Sequence, residues 1–183
     1  LLTMEVNATI RGAREAGARS FVVNEGHGGN LFANILPWEL DSAAILIRGF
    51  PKPLVMVTGI DSTFGTLMFT GAHANAGSPG VMPHNFAFDA FTVNGKVLNE
   101  AGIAAFIGGA MGVPMALASG DDVLTAETRE MLGPLETVTV KTAFSRSAAA
   151  VLSPATVDSL LRQAATRAVL RVKAGEIRPL VME

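Results

Sequence analysis

Residues 66–86 read TLMFTGAHANAGSPGVMPHNF, and the rest of the chain is organised around this stretch. A short apolar run, Leu67-Met68-Phe69, ends at Gly71, and two of the three histidines, His73 and His84, follow among glycines and prolines. A strand that opens into such a loop presents its imidazoles to one point. The arrangement recurs upstream, where Phe21-Val22-Val23 leads into Asn24-Glu25-Gly26-His27-Gly28-Gly29. In an open α/β sheet, ligands bind at the carboxyl ends of the strands, so His27 and His73 are expected to share one crevice. The chain has no cysteine, which leaves imidazoles and nearby carboxylates as the strong transition-metal ligands, a donor set that suits zinc.

Outward from that loop, the patterns alternate between helix and strand. Leu2, Val6, Ile10 and Ala13 fall at helical spacing and Gly17 ends the pattern, predicting an amphipathic helix that feeds a strand from Ser20 to Asn24. A helical turn is expected over Asn30 to Ile35 and a short buried strand over Ser42 to Ile47, whereas Pro53 to Gly59 is compatible with helix or strand. Asp61 reads as a turn cap. Beyond the histidine loop, Phe88 to Val93 and Lys96 to Leu98 flank Asn94-Gly95, a strong hairpin signal because both turn residues accept positive φ. Asn99 then caps a helix from Glu100 to about Met111, a buried strand follows over Met115 to Ala118, Asp121-Asp122 open a helix to Leu132, and Thr137 to Lys141 form a further strand. Ser153-Pro154 opens a long helix with Val157, Leu160, Leu161, Ala164, Ala168 and Val172 on one face. This order predicts a three-layer α/β/α domain with a largely parallel or mixed sheet and one β-hairpin excursion.

At 183 residues the chain is long enough for one domain with a sizeable core. It is 49% hydrophobic, with a mean hydropathy of +0.39, and this excess predicts extensive burial, part of it between subunits. A net charge of −2 supplies no electrostatic case for nucleic acid or an anionic membrane surface. The longest uncharged run, residues 101–120, contains five glycines and a proline, and Gly112-Val113-Pro114 breaks it into a helix and a strand rather than a membrane span. A cytoplasmic location is the expectation.

Among the carboxylates, Glu100 follows the hairpin that leaves the histidine loop, so the chain returns it to the same end of the sheet. Its ordinary role would be an acid facing the helix dipole, and a ligand role is the alternative. Asp121 and Asp122 read as helix caps. The chain contains no HExxH, no GxSxG, no phosphate-binding loop and no GxGxxG. The sequon Asn7-Ala8-Thr9 lies within a helix and is read as chance.

Taken together, Val23-Asn24-Glu25-Gly26-His27-Gly28, Gly71-Ala72-His73-Ala74, Ser78-Pro79-Gly80-Val81-Met82-Pro83-His84 and Val97-Leu98-Asn99-Glu100-Ala101-Gly102 resemble, in this order, the zinc-dependent D-aminopeptidases of the dipeptide-operon type. Ala118-Ser119-Gly120-Asp121-Asp122, Ser145-Arg146-Ser147 and Leu152-Ser153-Pro154 extend the resemblance, which covers nearly all of the chain from Glu15 to Leu161. It implies a metallo-aminopeptidase that hydrolyses short peptides with an N-terminal D-amino acid at a two-zinc centre. His27, His73 and Glu100 would be zinc ligands and His84 the catalytic histidine, either as acid/base or as nucleophile. The family's other ligands, in an Asp-x-Glu-Gly motif on its first strand, would precede Leu1. Residues 1–183 are therefore expected to be a single domain that lacks its first strand and its C-terminal part. The resemblance also implies a homo-oligomer, a ring-shaped decamer with inward-facing active sites. Two departures stand out: Glu25 where the family usually has aspartate, and Pro83 in place of the more familiar serine before the histidine. The rival reading is a non-catalytic or metal-free α/β relative that serves as an oligomeric binding module.

Overall fold

The computed structural model describes residues 1–26, 34–86 and 88–181. Helix α1 (Leu2–Glu15) leads into strand β1 (Phe21–Asn24), which pairs in parallel with β2 (Ala44–Ile47). A 3₁₀ turn (Val55–Val57) and then β3 (Leu67–Phe69) follow. The strands β4 (Thr92–Val93) and β5 (Lys96–Val97) close a hairpin in which Asn94 and Gly95 adopt φ of +49° and +78°, as the turn chemistry requires. Then come α2 (Glu100–Ala110), β6 (Met115–Asp121), α3 (Asp122–Leu132), β7 (Glu136–Ser145), β8 (Ala148–Val151) and α4 (Pro154–Lys173).

The larger sheet has the order β3-β6-β7-β8, with β3, β6 and β7 parallel and β8 antiparallel at the edge. Every residue of β6 is buried, as befits an inner strand with helices on both faces. On one face α4 buries Val157, Leu161, Ala164, Ala165 and Ala168 against Leu117, Val138 and Val140. On the other, Ala101, Ala104 and Ala105 of α2 meet Met115, Ala118, Met56 and Val57. The architecture is thus α/β with a mixed sheet, and the uncharged run at 101–120 resolves into α2 and β6. No helix among the described residues is long and apolar enough to cross a membrane.

Helix α1 forms as expected. It crosses α4 through small residues: a Cβ on Gly12 would collide with the Arg162 carbonyl, and Thr166 Oγ1 donates to the Gly12 carbonyl at 2.9 Å. The stripe Leu2, Val6, Ile10 and Ala13 instead lines a cavity of about 1220 Å³ between the two sheets. Residues 17–26 border it on one side and 63–73 on the other. Within the described residues, β1 pairs only with β2, and β3 only with β6.

Other expectations need correction. The strand predicted over Ser42 to Ile47 is shorter and only partly covered, since Ile45 is 67% exposed and β2 is an edge. The segment Pro53 to Gly59 forms the 3₁₀ turn that packs Met56 and Val57 into the core. A second hairpin, β7–β8, was not foreseen, because Ser145-Arg146-Ser147 carries no glycine or asparagine to mark a turn. The helical turn expected over Asn30 to Ile35 lies mostly outside the described residues.

Candidate metal centre

His73 is placed by an extension of strand pairing. Past Phe69, Gly71 N donates to Ser119 Oγ (3.1 Å) and Ala72 N to the Ser119 carbonyl (2.8 Å), so the backbone stays on β6 until one residue before the histidine. The loop then turns back, and His84 N donates to the Ala74 carbonyl at 3.3 Å. That bond sets the two imidazoles side by side, stacked with ring centroids 3.7 Å apart and planes 17° from parallel. Glu100 opens α2, whose first turn is capped by Asn99 accepting from Gly102 N at 2.9 Å. Its Oε2 lies 3.4 Å from His73 Nε2, and its Oε1 accepts from Phe86 N at 2.8 Å.

His73, His84 and Glu100 each offer a ligand atom within 4.8 Å of the others, and together they border the cavity between the sheets. His27 lies outside the described residues. The cluster thus unites two of the three sequence-predicted ligands with the residue predicted to be catalytic.

Hydrogen bonds define the protonation pattern. His84 Nδ1 lies 2.6 Å from the Met82 carbonyl and His73 Nδ1 3.3 Å from the Ala74 carbonyl. A carbonyl only accepts, so in each neutral ring Nδ1 carries the proton and Nε2 keeps its lone pair. His73 Nε2 therefore directs a lone pair at a carboxylate oxygen, an arrangement that a bound cation between them makes favourable. Burial opposes ionisation of Glu100, but the hydrogen bond that His73 gives it when protonated, the Phe86 amide and the charges of His73 and His84 in their protonated forms outweigh it and hold the carboxyl below its ordinary value. Two imidazole nitrogens and an ionised, buried carboxylate fit zinc.

Several residues that build the centre were not recognised in the sequence. Asp121 was read as a cap, and its Oδ1 does accept from Leu124 N (2.8 Å), but its Oδ2 also accepts from Val81 N (2.6 Å) and so anchors the histidine loop. The β7–β8 turn contributes the Arg146 carbonyl to Met82 N (2.9 Å) and the Arg146 guanidinium to the Pro83 carbonyl (3.1 Å). Met82 and Phe86, two residues on either side of His84, have φ of +46° and +49°. Such strain, about 1–3 kcal/mol per residue, persists where the surroundings over-determine the backbone, typically at functional sites. Ser145-Arg146-Ser147 in the resemblance was the one available signal for the turn.

Comparison with known proteins gives the chain's family and its relatives. The whole chain, residues 1–183, matches the family described as D-aminopeptidase. It is 36% identical over 165 residues to a D-aminopeptidase of Bacillus subtilis (strain 168), covering 89% of this chain and 60% of that protein. Its fold matches the solved structure of the "Zn-dependent D-aminopeptidase DppA from Bacillus subtilis, a self-compartmentalizing protease" with a TM-score of 0.92 and 34% identity, over 99% of this chain and 65% of that one. The chain therefore spans about three fifths of the length of the relatives it matches.

Proposed function

Because the chain belongs to the D-aminopeptidase family, we propose that it forms the catalytic part of a zinc-dependent aminopeptidase acting on short peptides with an N-terminal D-residue. The observation that carries this reading is the convergence of His73, His84 and Glu100 on one point at the carboxyl end of β3. His73, through Nε2, and Glu100 would hold zinc, with His27 as a further ligand of a two-ion centre. When bound, zinc polarises a peptide carbonyl and lowers the pKa of a water toward about 7.

His84 is the proton carrier in this scheme. With Nδ1 beside the Met82 carbonyl at 2.6 Å, Nε2 would be the nitrogen that takes a proton and returns it to the leaving amine. The cavity between β1 and β3 supports the remaining part of the reading. Among the described residues β1 and β3 each leave one edge unpaired, faced by the apolar stripe of α1; these edges suit one further strand, and the Asp-x-Glu ligands implied by the resemblance would enter there. Exposed Trp38, Phe50, Phe144 and Val151 suit subunit contacts, in keeping with a homo-oligomer, a decamer in the fullest form of this reading; a cytoplasmic location belongs to the same proposal.

Two variants of the complete enzyme test the division of labour. His73→Ala should release zinc and abolish hydrolysis of D-aminoacyl peptides. His84→Ala should keep zinc and lose turnover by about 10²–10⁴-fold. Loss of zinc from His84→Ala would instead make His84 a ligand, as its place in the cluster also permits, and retention of full zinc by His73→Ala would refute the site. Sedimentation of the complete protein tests assembly, and a stable monomer would remove the oligomer from the proposal.

A further inference from the structure

The metal cluster is assembled from two arms. One is the loop after β3, which brings His73 and His84; the other is the start of α2, which brings Glu100. The arms touch through Glu100 itself, whose Oε1 accepts from Phe86 N at 2.8 Å, and they are joined again by residues outside the cluster.

Glu127 is where the arms meet. On the loop side its Oε2 accepts from Asn75 N at 2.9 Å and its Oε1 from Ser78 Oγ. On the helix side its Oε2 also accepts from Asn99 Nδ2 at 3.3 Å, and Asn99 is the residue that caps α2 immediately before Glu100. A second link closes the ring: Asn85 Nδ2 donates to Asn75 Oδ1 and, at 3.3 Å, to the Leu98 carbonyl, with Asn85 and Asn99 both fully buried. Asn75 is two residues from His73, and Asn85 is next to His84.

The helix that presents Glu127 is itself tied down. Asp122 Oδ1 accepts from Ala143 N (2.8 Å), and Thr125 Oγ1 bonds Thr139 Oγ1 (2.8 Å), so α3 is fixed to β7. A carboxylate on so rigid an element can act as a datum for both arms, since groups that hold functional residues are most effective when their own positions are locked.

We infer that Glu127 is a positioning residue: its carboxylate, bonded to Asn75, Ser78 and Asn99, sets the spacing between the His73/His84 loop and Glu100. This inference rests on the zinc-centre reading above. Partners outside the coordination shell typically change metal affinity by about 10–100-fold when removed, and Glu127 is such a partner for two arms at once.

The test is a chelator-competition titration of zinc on the complete enzyme. Glu127→Ala should weaken zinc by about 10–100-fold. Glu127→Gln keeps an acceptor for Asn75 N and Asn99 Nδ2 and can donate to Ser78 Oγ, so it should restore most of that loss, although it removes the same charge. Should Glu127→Ala not fold, Ser78→Ala, which removes one bond, should give a smaller loss in the same direction. Affinity equal to wild type in Glu127→Ala, or in Ser78→Ala where that is the variant available, would overturn the inference. So would a Gln variant as weak as the Ala variant. His73→Ala, run alongside, separates the two claims. If it binds zinc like wild type, the zinc centre itself is wrong; if it loses zinc while Glu127→Ala keeps it, only the positioning role falls.

Discussion

A single methyl group on Gly80 should disturb the centre from behind. Its Cβ would stand 2.8 Å from Ala74 Cβ and 2.9 Å from Asp121 Oδ2, whereas ordinary contacts begin near 3.4 Å. Neither neighbour can easily retreat, because Ala74 and Asp121 are both fully buried. The Ala74 methyl is fixed to the backbone beside His73, and the Asp121 carboxylate is held by the amides of Leu124 and Val81. The loop must therefore shift by about half an ångström. Gly80 is not among the glycines with positive φ, so the cost of Gly80→Ala is steric. Overpacking of this kind costs about 1–3 kcal/mol, which in a chain of this size lowers the thermal midpoint by about 2–12 °C. Because a misplacement of 1 Å can cost on the order of 10²-fold in rate, turnover of the complete enzyme should fall by at least about tenfold. Gly112→Ala is the control: Gly112 has φ +76° with nothing within 4 Å of the added Cβ, and it joins α2 to β6 at the far end of the sheet. Its left-handed backbone penalises an L-residue by about 1–2 kcal/mol, so stability should fall comparably while turnover holds. Calorimetry and steady-state hydrolysis on both variants decide the matter. Equal losses of turnover in the two would show that activity follows global stability, and a Gly80→Ala enzyme with wild-type midpoint and rate would refute the steric argument.

Two further outcomes follow from the structure. Asn99→Ala removes the cap of α2 and should cost about 0.5–2 kcal/mol in a denaturant titration; because Glu100 is the next residue, zinc affinity should fall as well, and an unchanged affinity would contradict the link between cap and ligand. Burial pushes the Glu5 carboxyl above its usual value despite the opposing pull of Lys141. A folded-state pKa above the unfolded one means that stability present below the ordinary carboxylate value is lost as pH rises through the folded pKa. Glu5→Gln should therefore raise the thermal midpoint at pH 7 and give no gain once the pH is below the carboxylate range; identical midpoints at pH 7 would disprove it.

Much of the fold was legible because its signals are local. Ser153-Pro154 marks the start of α4, Asn99 and Asp121 mark the starts of α2 and α3, and Asn94-Gly95 marks the β4–β5 turn, each through backbone chemistry within a few residues. The β7–β8 hairpin escaped notice since its turn lacks residues suited to positive φ and its edge strand is a run of alanines. The apolar stripe of α1 was visible, but its partner was not: α1 meets α4 through Ala8 and Gly12, whose small side chains weigh little in a hydrophobic pattern yet permit close approach.

The same division holds at the site. By themselves, the residues determined the donor chemistry, since a chain without cysteine that places His73, His84 and Glu100 beside strand ends and a helix start has imidazole and carboxylate to offer a metal. Tertiary structure alone decided that these three meet within 4.8 Å, that the Met82 and Ala74 carbonyls stand beside Nδ1 of His84 and His73, and that Glu127 and Asp121 brace the loop. The physical reason is range. Caps, turns and donor types act over a few bonds and leave a mark in the sequence, whereas the bonds from Glu127 to Asn75 and Ser78 join residues 52 and 49 positions apart and exist only once α3 has been packed on β7.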